Sequence, residues 1–328
     1  MSMTDVHSVL GPIPAQKLGV TLVHEHLVYG FPGWRSDTAA PPYDRQKIFV
    51  KSVEAMEEAK ALGLKTLVDA TPIDGSRDPE LYRMVSLKTG IQIICATGLA
   101  NEPEGSPNYF QKRAWMTGNP GQVVEDMCES FVKDITEGIG GSGVKAGVIK
   151  VGTSKGKVTE YEKMVLRAAA MAQRKAGVPI ITHTEEGTMG PEQAGFLAEQ
   201  GADMSRVMIG HIDSSSMDYL HAVLQKGASI GFDRFGVDYY FADADRIRSI
   251  AELVRAGFED RIMLSHDRVI HWPGREIVLF EAARPLVANW KLTHIFKNIV
   301  PALKAAGVTG RQVETMMIDN PRRLFAGS

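Results

Sequence analysis

The sequence predicts an α/β protein, a (β/α)8 or TIM barrel, formed as one domain over residues 1–328. Three observations carry this. Eight short runs rich in Val and Ile recur from near the start of the chain to near its end. Longer helix-patterned stretches separate them, and several of these stop at a glycine just before the next run begins. A chain of 328 residues could hold two domains, but no stretch rich in Pro, Gly or Ser divides it, and barrels of this size commonly form one domain.

The strand candidates are GVTLVHEHL (19–27), LKTLVDATP (64–72), IQIICATGL (91–99) and VKAGVIKVG (144–152). They continue with VPIITHTEEG (178–187), RVMIGHID (206–213), ASIGFDRFG (228–236) and RIMLSHDR (261–268). Between them, DRQKIFVKSVEAMEEAKALG has apolar residues at helical spacing and a Gly stop. TEYEKMVLRAAAMAQRKAG opens at Thr159, an N-cap with Glu162 three residues later, and stops at Gly177. Eight such units favour a closed eight-stranded barrel over an open sheet. Two long insertions, EPEGSPNYFQKR (102–113) after the third strand and DRVIHWPGREIVLFEAARPLVANW (267–290) after the eighth, are expected at the C-terminal rim, where barrels place their substrate loops.

Hydrophobic residues make up 44% of the chain and charged residues 23%, as in ordinary globular proteins, and the formal net charge is −2. Without a cluster of Lys and Arg, nucleic acid is excluded as the main partner, which leaves a small, roughly neutral substrate. The two cysteines, Cys95 and Cys128, are far apart and supply no disulfide scaffold, and Cys95 reads as a buried strand residue. The N-terminal MSMTDVHSVLG has no charged segment leading into an apolar one, and no stretch approaches a membrane span in length. A cytoplasmic location and no membrane partner are the expectation.

The chemistry is expected where metal-competent side chains meet strand ends. Four of nine histidines, His24, His26, His183 and His211, fall at or near the C-terminal ends of strand candidates, with Lys150 near the end of the fourth and Asp267 ending the eighth. In a barrel those ends converge on one mouth. Alternation along a strand points His24 and His26 the same way, with Glu25 opposed. His-x-His is a weak pattern alone, but joined to three ligand-type residues on other strand ends it is hard to attribute to chance. Lys150 places an amine in an apolar strand. It either pairs with a carboxylate, faces outward, or is carboxylated by CO2 to a carbamate that bridges two metals, a reaction burial favours by making the neutral amine accessible. His7, His221 and His294 read as structural, His271 as a loop histidine in solvent, and Asp69 as a candidate acceptor for a ligand histidine.

HEH in the first strand, GVIKVG in the fourth, ITHTEEG, GHID and LSHD resemble the phosphotriesterase family of the amidohydrolase superfamily, most closely its phosphotriesterase-like lactonases. The resemblance runs from about residue 9 to the C-terminal DNPRRLF, with the motifs in the family's order. It implies that His24, His26 and Asp267 bind the more buried of two divalent cations and His183 and His211 the more exposed one. Carboxylated Lys150 and a hydroxide would bridge the two. It further implies that Asp267 carries a proton away while the exposed metal polarises the substrate oxygen. Zn, Mn, Co and Fe all suit mixed N/O ligation. Asp233-Arg234-Phe235-Gly236 resembles the DRYG/DRFG sequence of the lactonases, whose arginine lies by the site, although a rim salt bridge would also explain Arg234.

Leu99, Arg234 and Trp272 are the expected substrate contacts. Lactonases usually carry a tyrosine after the third strand, whereas this chain has Thr97-Gly98-Leu99-Ala100-Asn101-Glu102, and small Ala100 would open the pocket. Tyr109, further along, is the available substitute. Tyr239, Tyr240 and Phe241 line either the pocket or a subunit contact, and family members are commonly homodimers. The function expected is therefore lactone opening, of acyl-homoserine or γ/δ-lactones, with promiscuous phosphotriesterase activity. A phosphotriesterase or aryl esterase is the alternative. A binding protein that merely kept the barrel would not need all six ligand positions filled.

Overall fold

The computed structural model describes residues 5–212 and 216–327. Asp213, the last residue of the GHID run, lies outside the described residues. First among the described residues comes a short hairpin, β1 (Asp5–Ser8) with β2 (Gly11–Pro14), which lies outside the eight expected strand runs. Then come β3 (Thr21–Val28), β4 (Thr66–Asp69), β5 (Gln92–Gly98), β6 (Val148–Thr153) and β7 (Ile180–Thr184). They are followed by β8 (Val207–Ile209), β9 (Ser229–Phe232), β10 (Ile262–Leu264) and β11 (Val269–His271). The last nine form one sheet in the order β10-β9-β8-β7-β6-β5-β4-β3-β11, and every pairing in it is parallel. Helices such as Arg45–Lys60, Pro79–Thr89 and Glu160–Ala176 make the crossovers that parallel neighbours require.

Each expected run contains a strand, but the later ones leave the ladder early, as Val207–Ile209 does within 206–213. Their polar ends have other work. His211 and Asp267 both adopt positive φ, 59° and 54°, which withdraws them from strand geometry and turns them toward the mouth.

The eighth strand is interrupted, and the interruption joins the two ends of the sheet. β10 pairs with β9, β11 pairs with β3, and Ser265–Arg268 cross between them. Asp267 N–H donates to His24 O at 3.0 Å and His26 N–H to Arg268 O at 2.9 Å. Glu25 clamps the same seam. Its buried carboxylate accepts from Ser265 Oγ (2.8 Å), His266 N (2.9 Å), His266 Nδ1 (2.8 Å) and Arg268 N (2.7 Å).

The core has two layers. Val23, Val68, Ile94, Val148, Ile181, Met208 and Met263 form an inner cluster, closed by Leu18, Leu324 and Phe325. The alternate strand residues, among them Leu22, Leu67, Ile149, Ile180 and Ile262, join a larger outer cluster with the helices. Alternation from Val148 and Ile181 then carries Lys150 and His183 inward. Strict alternation from Val23 would turn His24 outward. A register shift between Leu22 and Glu25 re-aims it, as bulges beside functional sites do. The Thr159–Glu162 capping box is present, and Glu162 also holds Ser154 Oγ at 2.5 Å and Glu102 N at 3.1 Å. Among the described residues, no helix is long and apolar enough to cross a membrane.

Candidate metal centre

The structure brings His24, His26, Lys150, His183, His211 and Asp267 together at the C-terminal ends of the strands. The Asp267 carboxylate sits among three imidazoles. Its Oδ1 lies 3.1 Å from His26 Nε2 and 3.6 Å from His24 Nε2, and its Oδ2 lies 3.5 Å from His211 Nε2. Lys150 Nζ donates to His24 Nε2 at 2.7 Å. The rings of His24 and His211 stack at 4.6 Å, and His183 stands edge-on to His211 at 4.7 Å.

Neighbouring acceptors fix the tautomers. Asp233, fully buried, accepts from His24 Nδ1 on Oδ2 (2.7 Å) and from His211 Nδ1 on Oδ1 (2.9 Å). Thr71 Oγ1 donates its own proton to Val28 O, so it accepts from His26 Nδ1 at 2.8 Å. Glu185 Oε2 accepts from His183 Nε2 at 2.7 Å. Each imidazole thus spends its one N–H outward and turns a lone pair inward: Nε2 of His24, His26 and His211, and Nδ1 of His183. His24 Nε2 accepts from Lys150 and His26 Nε2 lies within hydrogen-bond distance of Asp267 Oδ1, whereas the His211 Nε2 lone pair faces Asp267 Oδ2 at 3.5 Å, acceptor against acceptor, with no hydrogen-bond partner. Such an arrangement repels itself unless cations lie between the donors. The residues therefore fit divalent metal. Among the described residues, His24, His26 and Asp267 form one group able to hold an ion, His24, His211 and Asp233 a second, and Glu104, His183 and Glu185 a third.

The electrostatics agree with ligand chemistry. Burial, assisted by Lys150, lowers the His24 imidazole to about 4, and burial with Arg234 nearby holds His211 well below the ordinary range. Both rings are neutral near pH 7. Burial lowers the Lys150 amine to about 8, against the pull of Asp267 and Asp233. Burial alone would raise the Asp267 carboxyl, but His211, His24 and Arg234 outweigh it and hold the group well below the usual carboxylate range.

Close backbone approach is what two glycines supply. A Cβ on Gly210 would stand 2.4 Å from Thr182 O and 2.6 Å from Asp233 Oδ2, and one on Gly98 would stand 1.9 Å from Lys150 O. Larger residues there would displace Asp233 or the Lys150 strand.

Above the cluster lies a cavity of about 210 Å³, lined by Tyr29, Phe31, Ala100, Asn101, Glu104, Arg234, Tyr240 and Trp272 among others. Arg234 and Trp272 both line this cavity. Arg234 Nε donates to Asp267 Oδ2 at 3.2 Å, its guanidinium lies over the Tyr240 ring at 4.6 Å, and Trp272 stacks on Phe31 at 5.3 Å. Leu99 does not reach the cavity. Its side chain joins the outer hydrophobic core, because alternation at the end of β5 turns it away, and Ala100 and Asn101 take the lining position. Tyr109 also stands elsewhere, 60% exposed beneath Arg113. Tyr29 and Tyr240 both line the cavity, and the Tyr29 hydroxyl donates to Glu104 Oε2 at 3.2 Å.

Other expectations are redrawn. Asp69 accepts from Leu27 N and Thr71 N, and among the described residues no hydrogen bond joins it to a ligand histidine. His271 lies on β11, half-buried, rather than in a loop in solvent. Tyr240 lines the cavity, while Tyr239 is exposed and edge-on to Phe280. Sequence reasoning missed Asp233, Thr71, Tyr29, Glu104 and Glu185. Asp233 at least carried the same signal as Asp267, a carboxylate at a strand end.

Residues 4–325 match the model of the phosphotriesterase family. The chain is 37% identical to a phosphotriesterase homology protein of Mycobacterium tuberculosis, over 98% of both chains. It superposes on an organophosphorus hydrolase from Deinococcus radiodurans with a TM-score of 0.95 and 42% identity, covering 99% of this chain and 97% of that one. A solved structure described as engineering organophosphate hydrolysis from a weak promiscuous lactonase template gives a TM-score of 0.94 and 42% identity, covering 98% of this chain and 99% of that one. With its fold and nearly its whole length in agreement, this chain belongs to the phosphotriesterase family of hydrolases.

Proposed function

We propose that the protein opens lactones hydrolytically at a binuclear metal centre, on a single (β/α)8 barrel domain, with slower hydrolysis of phosphotriesters. The observation that carries this is the set of inward lone pairs around Asp267 beside Lys150. His24, His26 and Asp267 would hold the inner cation and His183 and His211 the outer, with Lys150 between them as a carbamate. When bound, the cations supply an acidified water as nucleophile and polarise the oxygen of the scissile bond. Asp267, partly open to the cavity, receives the proton released as the new C–O bond forms. Arg234, 3.2 Å from that carboxylate, holds it in place and offers N–H groups to the ring oxygen, to which Asp267 returns the proton as the ring C–O bond breaks. Tyr29, Phe31 and Trp272 provide apolar wall for the rest of the substrate.

A second reading, phosphotriesterase or aryl esterase, is favoured by Ala100, which leaves room for a tetrahedral centre, and by the likeness to the organophosphorus hydrolase. The deciding test is kcat/KM on protein reconstituted with metal and bicarbonate for an acyl-homoserine lactone, a simple γ-lactone and an aryl dialkyl phosphotriester. A lactone leading by several decades supports the proposal, and a leading phosphotriester overturns it. Fewer than two equivalents of bound metal would remove both readings.

A further inference from the structure

The cavity wall carries a carboxylate that the hydrolytic scheme does not use. Glu104 lines the cavity, half-buried, and one of its oxygens stands within 4.8 Å of a ring nitrogen of His183. Its Oε2 accepts from the Tyr29 hydroxyl at 3.2 Å, and among the described residues no Lys or Arg forms an ion pair with it. The cations of the cavity are engaged elsewhere, Arg234 with Asp267 and the Tyr240 ring, Lys150 with His24. Burial and, next to it, the Glu104 charge hold the Tyr29 hydroxyl well above its ordinary range, and the same charge reaches Tyr240.

The loop holds this carboxylate in place. Asp74 Oδ1 accepts from Ala100 N at 3.1 Å and Asp74 Oδ2 from Ser106 N at 2.8 Å, while Gly105 N–H donates to Asn101 O at 2.9 Å. A Cβ at position 105 would stand 2.7 Å from Asp74 Oδ2, so the turn beside Glu104 closes tightly. A half-buried carboxylate with no counter-cation, facing a cavity that already holds Asp267, costs stability. Folds retain such groups where they serve function.

Hydrolysis changes the charge of what the cavity holds. Water adds to a neutral lactone and the ring C–O bond breaks, giving a hydroxy acid that releases a proton and is a carboxylate near neutral pH. A phosphotriester likewise gives a dialkyl phosphate anion. Resting on the hydrolase reading above, in either of its forms, we propose that Glu104 is a specificity-determining residue that admits neutral substrates and disfavours anions, the reaction's own product above all. One unit charge separates substrate from product, and a fixed carboxylate close by acts on the product alone. The product therefore leaves more readily, and substrates that carry a carboxylate are rejected.

The test is calorimetry on the metal-loaded protein with three molecules that are not turned over: γ-butyrolactam, which is neutral, and the anions 4-hydroxybutyrate and diethyl phosphate. Glu104→Gln removes the charge and keeps the length of the side chain. It should tighten both anions by about tenfold, the order expected of one unit charge a few ångströms away in a wetted site, and the lactam far less. Tyr29→Phe, which removes the hydrogen bond and leaves the charge, should not reproduce the gain. Unchanged anion binding in Glu104→Gln overturns the proposal, as does a gain that the lactam shares or that Tyr29→Phe matches. Loss of bound metal in Glu104→Gln overturns it too, because Glu104 would then be a ligand. Binding is read without turnover, so a protein that hydrolyses neither substrate loses the hydrolase reading while these constants still decide the charge selection.

Discussion

Asp233 Oδ2 accepts from His24 Nδ1 across 2.7 Å, with both side chains closed to solvent. Because the same carboxylate also takes His211 Nδ1, one residue sets the tautomer of two rings contributed by different strands. Asp233→Asn would present an N–H to at least one of those rings and turn its lone pair away from the centre. Metal affinity should fall about 10–100-fold, the usual cost of losing such a partner. Titration against a fluorescent chelator checks this, and unchanged affinity would show that the rings orient themselves.

Lys150 has an amine lowered to about 8 by burial, so an appreciable neutral fraction is available near pH 7 to attack CO2. Growth or reconstitution with 13C-bicarbonate should give a carbamate carbon signal in wild type that Lys150→Met lacks. The variant should also lose most of its bound metal and nearly all turnover.

Glu25 receives four hydrogen bonds from Ser265, His266 and Arg268 while 1% exposed. Glu25→Ala strips the acceptor from several buried donors at the seam and should destabilise the protein by roughly 3–5 kcal/mol. Urea unfolding of the metal-free protein measures the loss. Hydrogen exchange should place the first opening at 265–268.

Asp243 accepts from His294 Nε2 at 2.6 Å and from Gly236 N at 3.0 Å, with Arg246 Nη1 at 2.9 Å. Burial would raise its carboxyl, but these partners outweigh burial and hold it below the ordinary 3.8. Since the folded value lies below the unfolded one, the stabilisation is full above 3.8 and is lost as pH falls through the folded value. Wild type should therefore lose more stability than Asp243→Asn between pH 5 and pH 3, seen as a steeper fall in urea midpoint. Parallel profiles would remove Asp243 from the acid response.

Much of this was legible in the sequence because parallel strands buried on both faces write themselves as apolar runs, and because ligands sit at the ends of those runs. Lys150 and His183 were picked out by their places near strand ends, and alternation from the inward Val148 and Ile181 agrees with their direction. His24 departs from alternation, since the bulge that turns it inward depends on pairing with β4, which no single strand encodes. The short β8 and β10 were overextended for the same reason, as positive φ at His211 and Asp267 answers to distant neighbours. Leu99 was misplaced because a one-residue uncertainty at a strand end reverses the direction of a side chain. Tyr29 and Glu104 meet only after the loops fold over the mouth, so their pairing left no local trace.

The seam through Ser265–Arg268 also fixes when the protein can acquire metal. His24 and Asp267, which the seam joins, lie 243 positions apart in the sequence, with His24 made first. A nascent chain lacking its eighth strand has His24, His26, Lys150, His183 and His211 but no Asp267 and no closed seam to hold them. On the proposed assignment of ligands, loading of the inner site therefore waits until the eighth strand has been made and the seam has closed.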